Sequence, residues 1–396
     1  MKCRICSSTN YQSILDLGLI HPSGFSKDGA VLDKTPLHLV RCVNCRLVQL
    51  EHSVNLDRMY KDFYWYRSSL NPSMTKSLGE IVQSALHRVE LKSGDVVCDI
   101  GANDMTLLNF YPDNVIKVAF EPASNLSQYG HFATYYINNY FTLENYPITQ
   151  KAKIVTSIAM LYDLESPETF ISDVAQILAE DGIWIAQYTD LYETIKNNDF
   201  TNICQEHLCY YSTDILVWLL AQYGLEIFDI ERNQVNGGSV RLYIRHITNK
   251  HKCDNYYLHL GQEINFLVSQ DFEFSNFRNN VQTIKEKLRN YLTNWPLYAL
   301  GASTKSGTLI QYCDLYMIKA IGEISQEKIG LKNVTGIPIV HEDNILKINP
   351  PVILVLTWQF RSFFLNKLKE YIFNGGVVIF PLPQPEIISN KGIQLL

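Results

Sequence analysis

Residues 96–108 read VVCDIGANDMTLL, and this stretch decides the fold class. Val96, Val97, Cys98 and Ile100 form the short apolar run expected of a strand buried on both faces. Gly101 lets the backbone turn tightly at the sheet edge. The side-chain oxygens of Asn103 and Asp104 can cap a helix opening near Met105 to Leu108. A ligand at the carboxyl edge of such a sheet meets backbone N–H groups, where open α/β sheets usually bind ligands.

The turn lacks the further glycines of a G-x-G-x-x-G pyrophosphate site, their places being held by Asn103 and Thr106. A cofactor without phosphates fits better, and S-adenosylmethionine is the expected one. Further on, VAFEPAS places Glu121 and Pro122 after a second apolar strand. A carboxylate there can accept hydrogen bonds from ribose hydroxyls. The predicted cofactor residues are therefore Asp99, Gly101, Asn103, Asp104, Glu121 and Pro122. An ordinary strand-turn-helix with a capping Asp would leave the second acidic strand end unexplained.

Outward from this core, predicted strands at 96–100, 116–121, 153–158 and 183–188 alternate with helices such as 168–179, as in a doubly wound sheet. A turn at Asp181 to Trp184, DGIW, is expected to open the last of these strands. A helix over 72–90 precedes the unit, and a helix at 212–223 with the strands LEIFDIERN and GSVRLYIRH closes it near 247. Residues 248–293 are polar and helical in character. A second α/β unit starts at WPLYALGASTKSGTLIQY and continues through PVILVLTW and GGVVIFPLP, with a helix at 361–373 between these last two. The two glycine turns differ, so a duplication is not inferred.

Nine cysteines are present, and four form two tight pairs, Cys3 with Cys6 and Cys42 with Cys45. C-x2-C-x35-C-x2-C is the spacing of a tetrahedral zinc site. Four thiolates leave no open coordination position, so this zinc should be structural. The insert with Gly18, Pro22, Gly24 and Gly29 reads as a mostly irregular loop stapled by the metal. Cys98, Cys204, Cys209, Cys253 and Cys313 read as ordinary thiols. The domains expected are 1–66, a zinc-binding module; 67–247, a Rossmann-like class I core; and 248–396, a second Rossmann-like domain.

The length of 396 residues accommodates two or three domains, and 46% hydrophobic against 19% charged residues supplies a core. A net charge of -6 provides no basic field for nucleic acid. No signal pattern and no membrane-length apolar run is read, so a soluble cytoplasmic protein is expected.

The densest reactive cluster is Asn202–Ser212, NICQEHLCYYS. His207, near its ordinary pKa of about 6.5, would be the commonest side chain for taking a proton at neutral pH. A satisfied core or surface histidine is the plainer alternative. The segment emerges at the same sheet edge as the cofactor loop, which favours a chemical role for His207 and its neighbour Glu206. NGGSVRLYIRH offers Asn236 and Arg241 beside a strand, or simply a hairpin turn. In GASTKSG, Ser303, Thr304, Ser306 and the glycine backbone can cradle an anion with Lys305, or form a plain αβ turn.

Taken in order, the two Cys pairs, Tyr64, Tyr66 and Ser68 of YxYxS, DIGANDMTLL, EHLxYYS, NGGSVRLY, GASTKSGTLIQY, VLTW and PLP resemble one family. It is the S-adenosylmethionine-dependent C-methyltransferases that act on nucleotide-linked keto-sugars, and the resemblance spans essentially the whole chain. It implies that Asp99, Gly101, Asn103 and Glu121 hold the cofactor and that His207 with Glu206 serves the sugar. It also implies that Tyr64, Tyr66, Asn236, Ser239, Arg241 and Lys305 line a nucleotide-sugar cleft. The chain departs from the family at Met105, where glycine is usual, at Glu121, commonly aspartate, and at Gln205, usually histidine. Cys204 stands where a tyrosine is frequent, and a histidine frequent near Met160 is missing. These departures bear on the substrate position and any epimerisation more than on methyl transfer.

The chemistry accounts for the residue types. A sugar carbon becomes nucleophilic once a neighbouring carbonyl acidifies its C–H, which points to a 4-keto sugar; the resemblance implies a dTDP- or GDP-linked 4-keto-6-deoxysugar methylated at C3. His207 is the expected base, and a tyrosine hydroxyl, Tyr66 foremost, or an amide N–H would stabilise the enolate oxygen. The rival readings are an O-methyltransferase, which needs no ketone, and a catalytically degenerate binding protein, motivated by Gln205 and Met105. A monomer is expected, since one chain can complete the cleft.

Overall fold

Short aliphatic runs buried on both faces build a central seven-stranded sheet. Its strands are Val96–Ile100 (β1), Ile116–Phe120 (β2), Tyr135–Ile137 (β3), Ala152–Ile158 (β4), Leu178–Tyr188 (β5), Leu225–Asn233 (β6) and Ser239–His246 (β7). They lie in the order β6-β7-β5-β4-β1-β2-β3. β1 to β5 run parallel, while β7 is antiparallel to both β5 and β6. The strand order reverses at β1, between β2 and β4, which opens a crevice at the carboxyl edge there. The structure is a computed structural model that describes residues 2–27, 33–61, 64–249 and 256–396. Gly29 and Cys253, read above as loop and ordinary thiol, lie outside the described residues.

Helices cover both faces of the sheet. Pro72–Arg88 buries Met74, Leu78, Ile81, Val82 and Ala85 in one core with Val97, Ala119, Ile154 and Ile185. Its start is set by Pro72 at the first turn and by Asn71, whose side chain accepts from the Ser73 and Met74 amides. Pro167–Ile177 packs Phe170, Ile171 and Val174 on the opposite face with Val96, Cys98 and Val155.

Three local expectations are corrected. The turn at Asp181 to Trp184 lies within β5 rather than before it: the pairing with β4 slips from Leu178 opposite Ala152 to Ile183 opposite Ile154, and Gly182 lies where a Cβ would sit 2.9 Å from the Lys153 carbonyl oxygen. The glycine therefore permits close approach of β4 and β5 at a register shift. The loop after β1 opens no α-helix and reaches only a short 3-10 turn at Leu108–Phe110. Asn103 and Asp104 cap something else. Their side-chain oxygens accept the Ser68 and Ser69 amides, at 2.9 and 3.0 Å, from the aromatic segment that precedes the first helix of the core.

The third correction concerns the insert between the Cys pairs, which is largely strand rather than irregular loop. Tyr11–Ile20 and Thr35–Cys42 pair antiparallel, and Val48–Leu50 extends the sheet. Ile14, Leu15, Leu17 and Ile20 face its core. Cys209–Tyr210, from within the reactive segment Asn202–Ser212, adds the last strand. Phe25–Ser26 pairs in turn with Lys332–Asn333 of the C-terminal unit.

That unit carries a second seven-stranded sheet. Ile339–His341, Ile321–Glu323, Leu297–Leu300, Val352–Val355 and Val377–Phe380 are parallel neighbours in that order, and Glu386–Ser389 and Gly392–Leu395 add an antiparallel edge. Two helices, Tyr256–Val268 and Gln270–Leu292, connect the two large sheets.

The cysteine module also braces the C-terminal turn. Gln311 exchanges hydrogen bonds with the backbone of His21, Ser23 Oγ donates to the Thr304 carbonyl, and Gln205 donates to the Ile20 carbonyl. Zinc removal by a strong chelator, or Cys42→Ala, should release one zinc per chain and lower Tm by roughly 10 °C or more, because structural zinc supplies folding free energy directly. Metal analysis with differential scanning calorimetry checks this; unchanged Tm after complete metal loss would contradict it.

Candidate active site

A cavity of about 1420 Å³ lies where the carboxyl edges of the two large sheets face each other. One ligand site typically occupies about 300–1,000 Å³, so this space accommodates a cofactor together with a substrate of similar size. Asp99, Gly101, Glu121 and Pro122 line one side, and Gly301 to Lys305 with Glu323 line the other. Tyr60, Tyr64, Tyr66, Asp163, Glu206, His207 and Asn236 complete the wall.

On the first side, Glu121 ends β2 and bridges the loop after β1. Its Oε2 accepts the Asn103 amide at 2.8 Å and its Oε1 accepts the Ala123 amide at 2.8 Å. Each oxygen keeps acceptor capacity for a hydroxyl. Gly101 has φ +77, and a Cβ there would lie 3.3 Å from the Met160 side chain. Asp99 accepts the Thr156 hydroxyl at 2.6 Å, and burial pushes its carboxyl up to about 7. The amides of Gly101, Ala102, Asn103 and Met105 are all taken within the protein, which corrects the expectation of free N–H groups. A loop so occupied is poor for phosphate and suits a cofactor recognised through hydroxyls.

Asn103 links this side to the aromatic segment, since its Nδ2 donates to the Tyr66 carbonyl. Asp104 accepts the Thr106 hydroxyl and the Ser69 amide and stays behind the wall. Tyr64 is fixed by Asn125, which accepts its amide and donates to its carbonyl.

The reactive cluster sits between the two sides. The Cys204 sulfur, the Glu206 carboxylate and the His207 imidazole lie within 4.8 Å of one another. His207 Nδ1 is 2.9 Å from the Asn202 carbonyl oxygen, a contact that requires Nδ1–H as donor and leaves Nε2 as an acceptor. Burial, aided by the Lys305 charge, holds the imidazole neutral, with its pKa lowered to about 3. This overturns the expectation of a histidine near 6.5. Burial has the opposite effect on Glu206, pushing it up to about 7 against the Thr304 and Cys204 hydrogen bonds and the Lys305 and Lys328 charges. Two cations facing this trio fit an anionic ligand better than a second metal ion.

The structure brings Tyr64, Tyr66, Asn236, Ser303 and Lys305 to the cavity and leaves Ser239 and Arg241 out of it. Ser239 is buried and donates to the Val235 carbonyl. Arg241 is buried on β7, where Gln187 and Glu231 accept from its guanidinium. The N-G-G segment is both hairpin and wall: it joins β6 to β7, and a Cβ on Gly237 would lie 2.9 Å from Gln359 of the C-terminal unit. Ser303 caps the helix Thr304–Tyr312 through the Ser306 amide.

Sequence reasoning missed Tyr60, Asp163, Lys328 and Glu323. Asp163 follows β4 in Y-D-L-E, a pattern with no spacing signal. Burial first, then the Glu206 charge, push its carboxyl well above the usual range. Among the described residues its Oδ1 has no hydrogen-bond partner. Lys328 is pulled down by burial, and its Nζ donates to the Ala302 carbonyl at 2.8 Å.

At the far end, Cys3 and Cys45 sulfurs are 3.5 Å apart and Cys6 and Cys42 sulfurs 3.4 Å, near the roughly 3.8 Å edge of a tetrahedron with Zn–S bonds of about 2.3 Å. The residue after each pair, Ser7 and Arg46, takes positive φ, so the two knuckles share one backbone form. The four thiols fit a closed structural zinc.

Three family models match in succession: a zinc binding domain over residues 3–60, a methyltransferase domain over 74–230 and a C-methyltransferase C-terminal domain over 234–383. The chain is similar to C-methyltransferase NovU of Streptomyces niveus, with 24% identity over 418 residues, covering 98% of this chain and 97% of NovU. Solved structures similar to it include an S-adenosylmethionine-dependent methyltransferase of Clostridium acetobutylicum (12% identity, 43% of this chain, 92% of that chain, TM-score 0.36). Another is magnesium protoporphyrin IX methyltransferase of Synechocystis (14% identity, 44% of this chain, 88% of that chain, TM-score 0.35). These two superpositions add nothing to the family models.

Glu121→Ala should weaken S-adenosylmethionine binding by roughly 10–100-fold, the worth of hydrogen bonds to a charged acceptor. Isothermal titration measures it, and affinity within twofold of the parent protein would exclude the carboxylate from the cofactor site.

Proposed function

We propose, starting from a chain that belongs to the S-adenosylmethionine-dependent C-methyltransferases, that it methylates a ring carbon, C3, of a nucleotide-linked 4-keto-6-deoxysugar by way of an enolate, in branched-chain sugar biosynthesis. The observation that carries this reading is the single cavity joining the β1 and β2 ends to the Gly301–Lys305 turn, with Glu206 and His207 between them. Its size supports a substrate with a large second part, such as a nucleotide.

When bound, S-adenosylmethionine supplies the electrophilic methyl group. The chain's own residues prepare the nucleophile. Glu206 and His207 offer two proton acceptors within 4.8 Å of each other. Glu206, near 7, is matched to neutral pH, whereas His207 stays neutral and can accept at Nε2 without first losing a proton. The enolate oxygen requires a hydrogen-bond donor. The tyrosine hydroxyls of the wall supply such donors, and so does Asp163 in its acid form, which burial favours by pushing its carboxyl well above the usual range. Lys305 and the Ser303 hydroxyl stand ready for the diphosphate. Placing the reaction between the core and the C-terminal unit limits access of water that would reprotonate the carbanion.

The ionised form of Glu206 increases as pH rises through its raised pKa, so kcat should climb with pH and level off above about 7. Glu206→Gln should remove that ascending limb and lower kcat by roughly 10²–10⁴-fold, and His207→Gln should lower kcat by a similar factor with substrate affinity retained. Mass spectrometry of reactions with a panel of nucleotide-linked 4-keto-6-deoxysugars reads both. A product one methyl heavier, with the methyl on carbon by NMR, is expected. Methyl on oxygen, or full turnover in both variants, would sink the reading.

A further inference from the structure

The C-terminal sheet repeats the Glu121 arrangement at the opposite wall of the cavity. In the core, Gly101 follows β1 with positive φ, its amide donates to the Phe120 carbonyl at 2.9 Å, and Glu121 ends the neighbouring parallel strand. In the C-terminal unit, Gly301 follows Leu297–Leu300 with positive φ, its amide donates to the Gly322 carbonyl at 2.9 Å, and Glu323 ends the neighbouring parallel strand. Glu121 and Glu323 stand 20 and 22 residues after their glycines.

The carboxylates also make equivalent bonds. Glu121 Oε2 takes an amide of the glycine turn and Oε1 an amide two residues past itself. Glu323 Oε2 takes the Ala302 amide at 2.9 Å, and its Oε1 takes the Ser325 amide at 3.1 Å and the Ile324 amide at 2.8 Å. Glu323 Oε2, holding the Ala302 amide, retains acceptor capacity, and the residue lines the cavity with Gly301, Gly322 and Ser325. A carboxylate at this strand end, about 20 residues after the turn, is where open α/β sheets hold a ribose hydroxyl.

We propose that Glu323 holds the vicinal hydroxyl pair of a ribose, so that the substrate is linked to a ribonucleotide rather than to a 2′-deoxyribonucleotide. This rests on the nucleotide-linked reading above and narrows it. The order of groups along the wall agrees with such a ligand. Glu323 takes the nucleoside, the Ser303–Lys305 segment beside it takes the diphosphate, and the Thr304 side chain, hydrogen-bonded to Glu206, marks where the sugar begins. The departures at Cys204 and Gln205 lie at the sugar end and leave this wall untouched. A carboxylate that only closed its own turn would make the same amide bonds and show no preference for the 2′-hydroxyl.

The test is isothermal titration of the full chain with each ribonucleoside diphosphate and its 2′-deoxy counterpart, repeated on Glu323→Gln. At least one ribonucleoside diphosphate should bind about 10-fold or more tighter than its deoxy form. In Glu323→Gln that ratio should fall to within about twofold, with S-adenosylmethionine affinity unchanged. Nucleotide binding without 2′-hydroxyl preference in the parent protein, or a preference that survives in Glu323→Gln, would overturn the assignment while leaving the nucleotide-linked reading intact. Should Glu323→Gln fail to fold, the parent protein's ribo-to-deoxy ratio decides alone. No binding of any nucleoside diphosphate would remove that broader reading and this assignment with it.

Discussion

The Glu121 carboxylate accepts the Asn103 amide on one oxygen and the Ala123 amide on the other, and the rest of the site is suspended from that bridge. With its amide so held, Asn103 turns its side chain to the Tyr66 carbonyl and the Ser68 amide. That fixes the aromatic segment carrying Tyr64 and Tyr66 as one wall of the cavity. The same bonds consume the amides a phosphate would need. A class of cofactor is thereby selected by what the loop has already satisfied as much as by what it offers.

Burial does the second part of the work. Within a few residues it raises Glu206, lowers His207 and raises Asp163. In water the two carboxyls would titrate at about 4 and the imidazole at about 6.5; a cavity deep between two sheets moves the carboxyls up and the imidazole down. The position of Lys305 and Lys328 on the facing domain means that the electrostatics belong to the assembled chain rather than to the core alone. The cysteine module takes part indirectly, through Ile20, His21 and Ser23, which hold Gln205, Gln311 and Thr304 in place.

Much of this was legible in the chain. The apolar runs at 96–100, 116–120 and 152–158 appear as strands because both faces of a parallel sheet are covered, and C-x2-C spacing states its metal geometry directly. What was not legible depended on distant partners. Asn103 and Asp104 look like helix caps, and only folding shows that the amides they cap belong to Ser68 and Ser69. Arg241 looks available until Glu231 and Gln187 are seen beside it. The pKa of His207 follows from its surroundings, which a single residue in a string does not carry. Glu323 carries a signal in its spacing from Gly301, masked because the two glycine turns differ in sequence while their backbones agree.

The central claim is that a ketone-bearing substrate is enolised between Glu206, His207 and the facing domain. Deuterium incorporation from solvent into a nucleotide-linked 4-keto-6-deoxysugar, with S-adenosylhomocysteine in place of the methyl donor, tests it most directly. The account predicts exchange at the single C–H that is methylated in the complete reaction, lost in Glu206→Gln. Methyl transfer to a substrate lacking the ketone, with no exchange in its presence, would contradict it.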